Sequence, residues 1–235
     1  MFTQRALDFL YFNHRNNSKA WYQEHKEDYH KYLVEPFKEL VIDLTPTMLS
    51  IDDKFIIEPK VDKTISRIYR DMRYASDGYL YRDKMWFTFM RDKKLYNGLP
   101  GFFFELSPYG FRYGCGYYLA DGQSVKNFRQ LILDNTKEYQ AAMKCYKNQD
   151  IFKLYGEKLK TSRYPDYPEE AQEWLMLKNA GLMAESQDIN LLFSENLAEV
   201  LAKQFMMIKP FFDMLQKAED MKSNPTNRGV CGGPK

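Results

Sequence analysis

Hydrophobic positions recur along this chain with two periods, and the switch between them divides it. Trp21, His25, Tyr29, Tyr32, Leu33, Phe37, Leu40, Val41 and Leu44 return every three or four residues, the spacing that lines one face of a helix. In "NNSKAWYQEH", Asn17 or Ser18 can start that helix by accepting hydrogen bonds from its unpaired first amides. Pro36 lacks an amide hydrogen and its ring crowds the preceding turn, so a kink or restart is expected there.

Between about residues 55 and 119 the runs become short. "KFIIEP", "TISRIY", "KMWFTFMR", "GFFFEL" and "FRYGCGYYL" are β-branched or aromatic and are bounded by Gly, Pro and Asp, which predicts strands. "PGFFFELSPYGFRYGCGYYL" predicts an antiparallel hairpin, because Pro108 presets φ in its turn and Gly110 relieves strain at the end. Helical spacing returns at Val125, Phe128, Leu131, Ile132, Asn135, Tyr139, Ala142 and Tyr146. "YPEEAQEWLMLKNAG" predicts another helix, entered near Pro168, Glu169 and Glu170 and stopped at Gly181. A last helix starts at Ser194, runs through Leu197, Val200, Leu201, Phe205 and Leu215, and bends at Pro210.

The expected fold class is therefore α+β: a central, mainly antiparallel sheet at about residues 55–119, packed by an N-terminal long helix and three C-terminal helices. Residues 1–221 read as a single domain. The tail "KSNPTNRGVCGGPK" has no apolar period, so 222–235 reads as disordered.

Composition narrows the partners. Apolar residues make up 44% of the chain and aromatics 16%, enough for a sizeable core. With 34 basic and 32 acidic residues the net charge is only +2, which argues against a surface that is basic throughout. Cys115, Cys145 and Cys231 are odd in number and show no CxxC spacing, which points to a reducing compartment. The N-terminus has no secretory pattern, and no run approaches the ~18 apolar residues that span a bilayer. A soluble, cytoplasmic protein without a membrane partner is expected; oligomeric state is left open.

Motif chemistry is sparse. His14, His25 and His30 have no metal-ligand spacing, and no HExxH occurs, so no metal is expected. There is no GxSxG elbow, and "GFRYGCG" falls inside a hairpin where neither a dinucleotide fingerprint nor a phosphate loop would be. No cofactor is expected, and no reaction can be assigned. Cys115 shares a strand face with Phe111, Tyr113 and Tyr117, which reads as the buried side. Arg112, Gly114, Gly116 and Tyr118 share the other. Two bare glycines there mark either a bulge or a packed neighbour, or the floor of a ligand cleft.

The densest candidate chemistry is "TISRIYRDMRYASD". From Glu58 to Lys94 there are ten Lys or Arg against six Asp or Glu. As a strand, this stretch would put Arg67, Tyr69, Asp71 and Arg73 on one face; as a helix, Arg67, Arg70 and Arg73 would lie together. Guanidinium forks match carboxylate or phosphate oxygens, so such a group suits an anion. Asp71, Asp77 and Asp83 could equally hold the arginines in a structural network.

Three readings follow. The first is binding of a small anionic or phosphorylated ligand by Arg67, Arg70, Arg73 and Arg82, with Arg112, Gly114, Gly116 and Tyr118 nearby. Asp71 or Asp77 would then be the supporting carboxylate and acid–base candidate. The second is nucleic-acid binding through the same arginines, with Tyr69, Tyr74 and Tyr81 as stacking surfaces. The third is a protein-interaction domain in which the arginines serve structure.

Four stretches carry a family resemblance: "FLYFNHRNNSKAWYQEHKEDYHKYLVEPFKELV", "SRIYRDMRYASD", "PGFFFELSPYGFRYGCGYYLADGQSVKNFRQLI" and "YPEEAQEWLMLKNAGL". Together they resemble the bacterial family known as domain of unknown function 2461, from about residue 7 to about residue 215. The resemblance implies one intact, intracellular bacterial domain and no stated activity. After Arg73 that family tends to read Phe-Ser-Lys-Asp-Lys-x-Pro-Tyr-Lys, whereas this chain has Gly78 and Leu80 in place of a lysine and the proline, and Arg82 in place of the last lysine. A ligand contact carried by the first of those lysines would be lost or moved here.

Overall fold

A computed structural model describes residues 1–73, 77–94, 99–118, 120–161 and 164–223. Its framework is a five-stranded antiparallel sheet in the order β1-β2-β3-β5-β4. The strands are β1 (Met85–Phe89), β2 (Pro100–Ser107), β3 (Gly110–Tyr117), β4 (Lys153–Tyr155) and β5 (Gly181–Ser186). The α+β class and the β2–β3 hairpin match the sequence expectation. The sheet's extent does not, because two strands come from beyond residue 119. Gly181 opens β5 and does not end a helix: its amide-bearing backbone pairs with Gly116 of β3. "KFIIEP" and "TISRIY" form no strand of the sheet. The latter runs beside β1 as its irregular edge, with a bridge from Ile65 to Phe87 and a bond from the Ser66 amide to the Trp86 carbonyl at 2.7 Å. Covering the edge in this way leaves fewer open strand groups.

Helices cover one sheet face. The first is α1 (Gln4–Asn16), which the periodicity reading above does not include although Ala6, Leu7, Phe9 and Leu10 are all buried. Ser18 caps α2 (Lys19–Glu24), accepting the Trp21 amide at 3.3 Å. Next come α3 (Lys26–Tyr29), a π-helical turn at His30–Val34, and α4 (Glu35–Ile51). The expected disturbance at Pro36 is this π turn: widening the helix just before the proline accommodates its ring and its missing donor.

The expected single helix from Val125 to Tyr146 is two, α5 (Gly122–Leu133) and α6 (Lys137–Lys147). Asn135 takes the left-handed conformation at φ 47°, and Thr136 caps α6 by accepting the Tyr139 amide. Then follow α7 (Glu169–Leu175), α8 (Ile189–Leu192), α9 (Leu197–Met207) and α10 (Lys209–Ser223). Pro210 does not bend one helix; it sits at the start of α10, where a missing amide hydrogen costs no helical bond. Because α10 reaches Ser223, the first two residues of the expected tail belong to a helix, while Cys231 and the rest from 224 lie outside the described residues.

The core is aromatic. Phe87 of β1 and Phe104 of β2 meet Phe37 of α4, and Phe102 of β2 meets Phe205 of α9 and Phe212 of α10. Phe111, Tyr113, Cys115 and Tyr117 alternate onto the same buried face, as the sequence predicts. A second layer gathers round Trp174 of α7, which contacts Phe128, Tyr139 and Phe211. The alternate strand residues, Trp86, Thr88, Phe103, Glu105, Arg112 and Met183, are half-buried on the opposite face.

Candidate functional site

The site is built where the Glu58–Arg82 stretch meets that opposite face. Residues 58–65 turn tightly: Asp62 lies at φ 67°, and Thr64 Oγ1 accepts the Glu58 amide at 2.8 Å. The chain then pairs with itself, the Arg70 amide to the Leu80 carbonyl and the Arg82 amide to the Ile68 carbonyl, both at 2.9 Å. Asn17, which follows α1, donates to the Gly78 carbonyl and accepts the Leu80 amide.

This fold separates the arginines. Arg70 donates Nη1 to both Asp77 oxygens at 2.7 Å. Arg73 grips Asp71 through Nε at 3.0 Å and Nη2 at 2.7 Å. Those bonds and the Arg73 amide hold the Asp71 carboxyl down at about 2, and Arg70 likewise lowers that of Asp77. Both carboxyls are thereby held in their charged form. Asp83 joins no ion pair among the described residues. Arg67 is different: its closest carboxylate is Asp62 at 3.8 Å, and its side chain is 47% exposed.

Arg82 is different again. Its Nη1 donates to the carbonyls of Arg67 and Tyr69 at 2.6 and 2.7 Å, and its guanidinium lies 5.0 Å from the Trp86 ring centroid. No carboxylate forms an ion pair with it among the described residues. Burial, then the nearby Arg67 and Arg70 charges, lower its pKa. Asp62 opposes them from a distance, so this cation is held by carbonyls and an indole and has no paired carboxylate among the described residues.

Arg67 and Arg82 line a cleft of about 540 Å³ with Lys63, Arg91, Lys93 and Lys94, six basic side chains against Glu58, Asp62 and Asp92. Asp52 holds Arg91 at 2.6 Å from the cleft's inner side. Trp86, Thr88 and Met90 form the wall shared with a second cleft of about 500 Å³ over the open sheet face. There Phe103, Met183, Tyr118 and Tyr155 surround a polar group in which Glu105 accepts Arg112 Nε at 2.6 Å and faces Lys84 at 3.4 Å.

Of the expected site residues, the fold therefore brings Arg67 and Arg82 into one cleft and Arg112, Gly116 and Tyr118 into its neighbour. Arg70 and Arg73 line neither. Gly114 has a packing role: a Cβ there would collide with the Leu182 carbonyl of β5. Gly116 is also crowded by β5, its would-be Cβ 2.6 Å from the Gly181 Cα, yet it remains on the cleft floor. Tyr81 is only 1% exposed and packs with Tyr22 and Tyr69, so it offers no free stacking face. Tyr74 lies outside the described residues.

The sequence reading missed Trp86, Phe103, Glu105, Tyr155 and Met183. For the first three a signal existed, since "KMWFTFMR" and "GFFFEL" alternate and their second faces could have been read. Met183 and Tyr155 had none, because β4 and β5 join the sheet through long-range pairing.

Among the described residues no group of His, Cys, Asp and Glu could hold a metal ion, and no helix is long and apolar enough to cross a membrane. Residues 5–214 match the model of a family described as "Conserved hypothetical protein (DUF2461)". No curated protein and no solved structure matches.

Proposed function

The chain belongs to that conserved hypothetical family, and from its geometry we propose that it binds a small anionic ligand in the cleft bounded by Arg67, Arg82 and Trp86. The observation that carries this reading is Arg82, a guanidinium held over Trp86 by two backbone carbonyls, with no carboxylate paired to it among the described residues. Carbonyls and an indole attract a guanidinium but bring no net negative charge, so its positive charge is still there for an incoming anion to meet. Arg67 supplies a second fork, and Lys93 and Lys94 add positive charge around it, while Lys63 is shared with Glu58 at 3.3 Å. A cytoplasmic setting fits, since a reducing compartment keeps Cys115 and Cys145 as thiols.

Calorimetric titration with inorganic pyrophosphate at low salt tests the proposal. Binding is expected, weakened about tenfold by Arg67→Ala and weakened further by raising the salt. Arg73→Ala, which removes a partner of Asp71 outside the cleft, leaves it unchanged. Absence of binding, or equal losses from Arg67→Ala and Arg73→Ala, would overturn the reading.

A further inference from the structure

The two clefts meet at Trp86, and the chemistry of the surface changes there. On one side lie the six basic side chains; on the other, the aromatic and thioether surface of Phe103, Tyr118, Tyr155 and Met183. A bare oxyanion would use only the first. A hydrocarbon would use only part of the second, because polar groups interrupt it.

We infer that the ligand is a nucleoside phosphate, its base against the open sheet face and its phosphate at the Arg67–Arg82 end. The inference rests on the anion-binding reading above and extends it to the remainder of the ligand.

Three features favour a base over another apolar group. First, the floor of the face is bare: Gly101, Gly116 and Gly181 stand side by side across β2, β3 and β5, the first two crowded by neighbouring backbone, and none contributes a side chain to the cleft. Second, donors remain free at its edge. Arg112 gives Nε to Glu105, while among the described residues its Nη1 meets only the Met183 sulfur at 4.0 Å. Asn179 receives the Ala120 amide on Oδ1, and its amide nitrogen donates no bond among the described residues. Ring nitrogens and carbonyls of a base are the acceptors that such donors fit, whereas an acyl chain would leave them unpaired. Third, each cleft is of the size that holds one drug-sized moiety, and the shared wall at Trp86 places the second moiety next to the first.

The test is a set of titrations on the full chain, followed by tryptophan fluorescence and calorimetry. Pyrophosphate, ribose 5-phosphate and the four common nucleoside 5′-monophosphates are compared at one ionic strength. At least one nucleotide is expected to bind tenfold or more tightly than ribose 5-phosphate. Tyr118→Ala should reduce that ratio to threefold or less. Tyr118 is 84% exposed, so its loss leaves the fold intact and the ratio interpretable; Phe103→Ala should act in the same direction.

A 5′-phosphorylated dinucleotide identifies the source of the unit. Equal affinity assigns it to a free nucleotide and a tenfold gain to a single strand, and either result upholds the inference. If pyrophosphate binds but every nucleotide merely equals ribose 5-phosphate, the inference is wrong while the anion site stands. If the nucleotide advantage survives both Tyr118→Ala and Phe103→Ala, the base lies elsewhere and the inference is also overturned. If nothing binds, the anion reading itself has failed.

Discussion

Asn13 projects from α1 into the interior at 0% exposure, and neither its amide nitrogen nor its oxygen has a hydrogen-bond partner among the described residues. A buried amide left unpaired costs about 1–3 kcal/mol. Asn13→Leu, close in volume, is expected to raise stability by about 1–2 kcal/mol in urea unfolding; a loss of similar size would show that the amide is satisfied. Single residues also decide the fate of the arginine segment. Its composition was plain in the sequence, as was the competition with nearby aspartates. Which arginine is captured was not. Asp77 reaches Arg70 across seven positions, whereas Arg67 is left with Asp62, whose backbone is left-handed, at 3.8 Å.

The elements show where pattern reading works. The β2–β3 hairpin and the buried alternation of Phe111, Tyr113, Cys115 and Tyr117 could be read locally, because turn chemistry and a period of two both lie within a short stretch. The division of α5 from α6 could not be read from apolar spacing, which continues across the break; Asn135 and Thr136 carried that signal as a left-handed residue and a cap. Packing between elements supplies a sharp test at Gly114. Any side chain there drives a Cβ into the Leu182 carbonyl of β5. Gly114→Ala is expected to cost about 2–3 kcal/mol and to disturb the β3–β5 pairing, seen as faster amide exchange along Gly181–Ser186. An unchanged melting temperature would mean that the strands separate freely.

At the scale of the whole molecule, α10 is tied to the sheet and to α5 by a polar cluster. Tyr117 Oη donates to Glu219 at 2.7 Å, and Lys222 Nζ reaches Asp121 at 2.7 Å and Glu219 at 2.7 Å. Burial alone would push the Asp121 carboxyl up, but Lys222 and the Ser124 amide outweigh it and hold it at about 2. A carboxyl depressed in the folded state stabilises fully above its unfolded value, near pH 4, and that contribution disappears as the pH falls towards 2. Asp121 is partly exposed, so screening reduces the contribution to about 1 kcal/mol. Asp121 caps α5 by accepting the Gln123 and Ser124 amides, a role that Asp121→Asn keeps. The variant is expected to lose that amount at pH 7 and to match the parent protein at pH 2, as measured by chemical unfolding across the range.

By itself the sequence determined the α+β class, the hairpin, the buried face of β3 and the segment richest in arginine, because each is written in a local period, a turn or a composition. Only the tertiary structure decided that β4 and β5 complete the sheet, that Arg70 and Arg73 are taken, and that Arg82 lies on Trp86 between a basic cleft and an aromatic one. Those outcomes depend on which distant backbones pair and which charges then meet. Neither leaves a mark in the spacing of neighbouring residues.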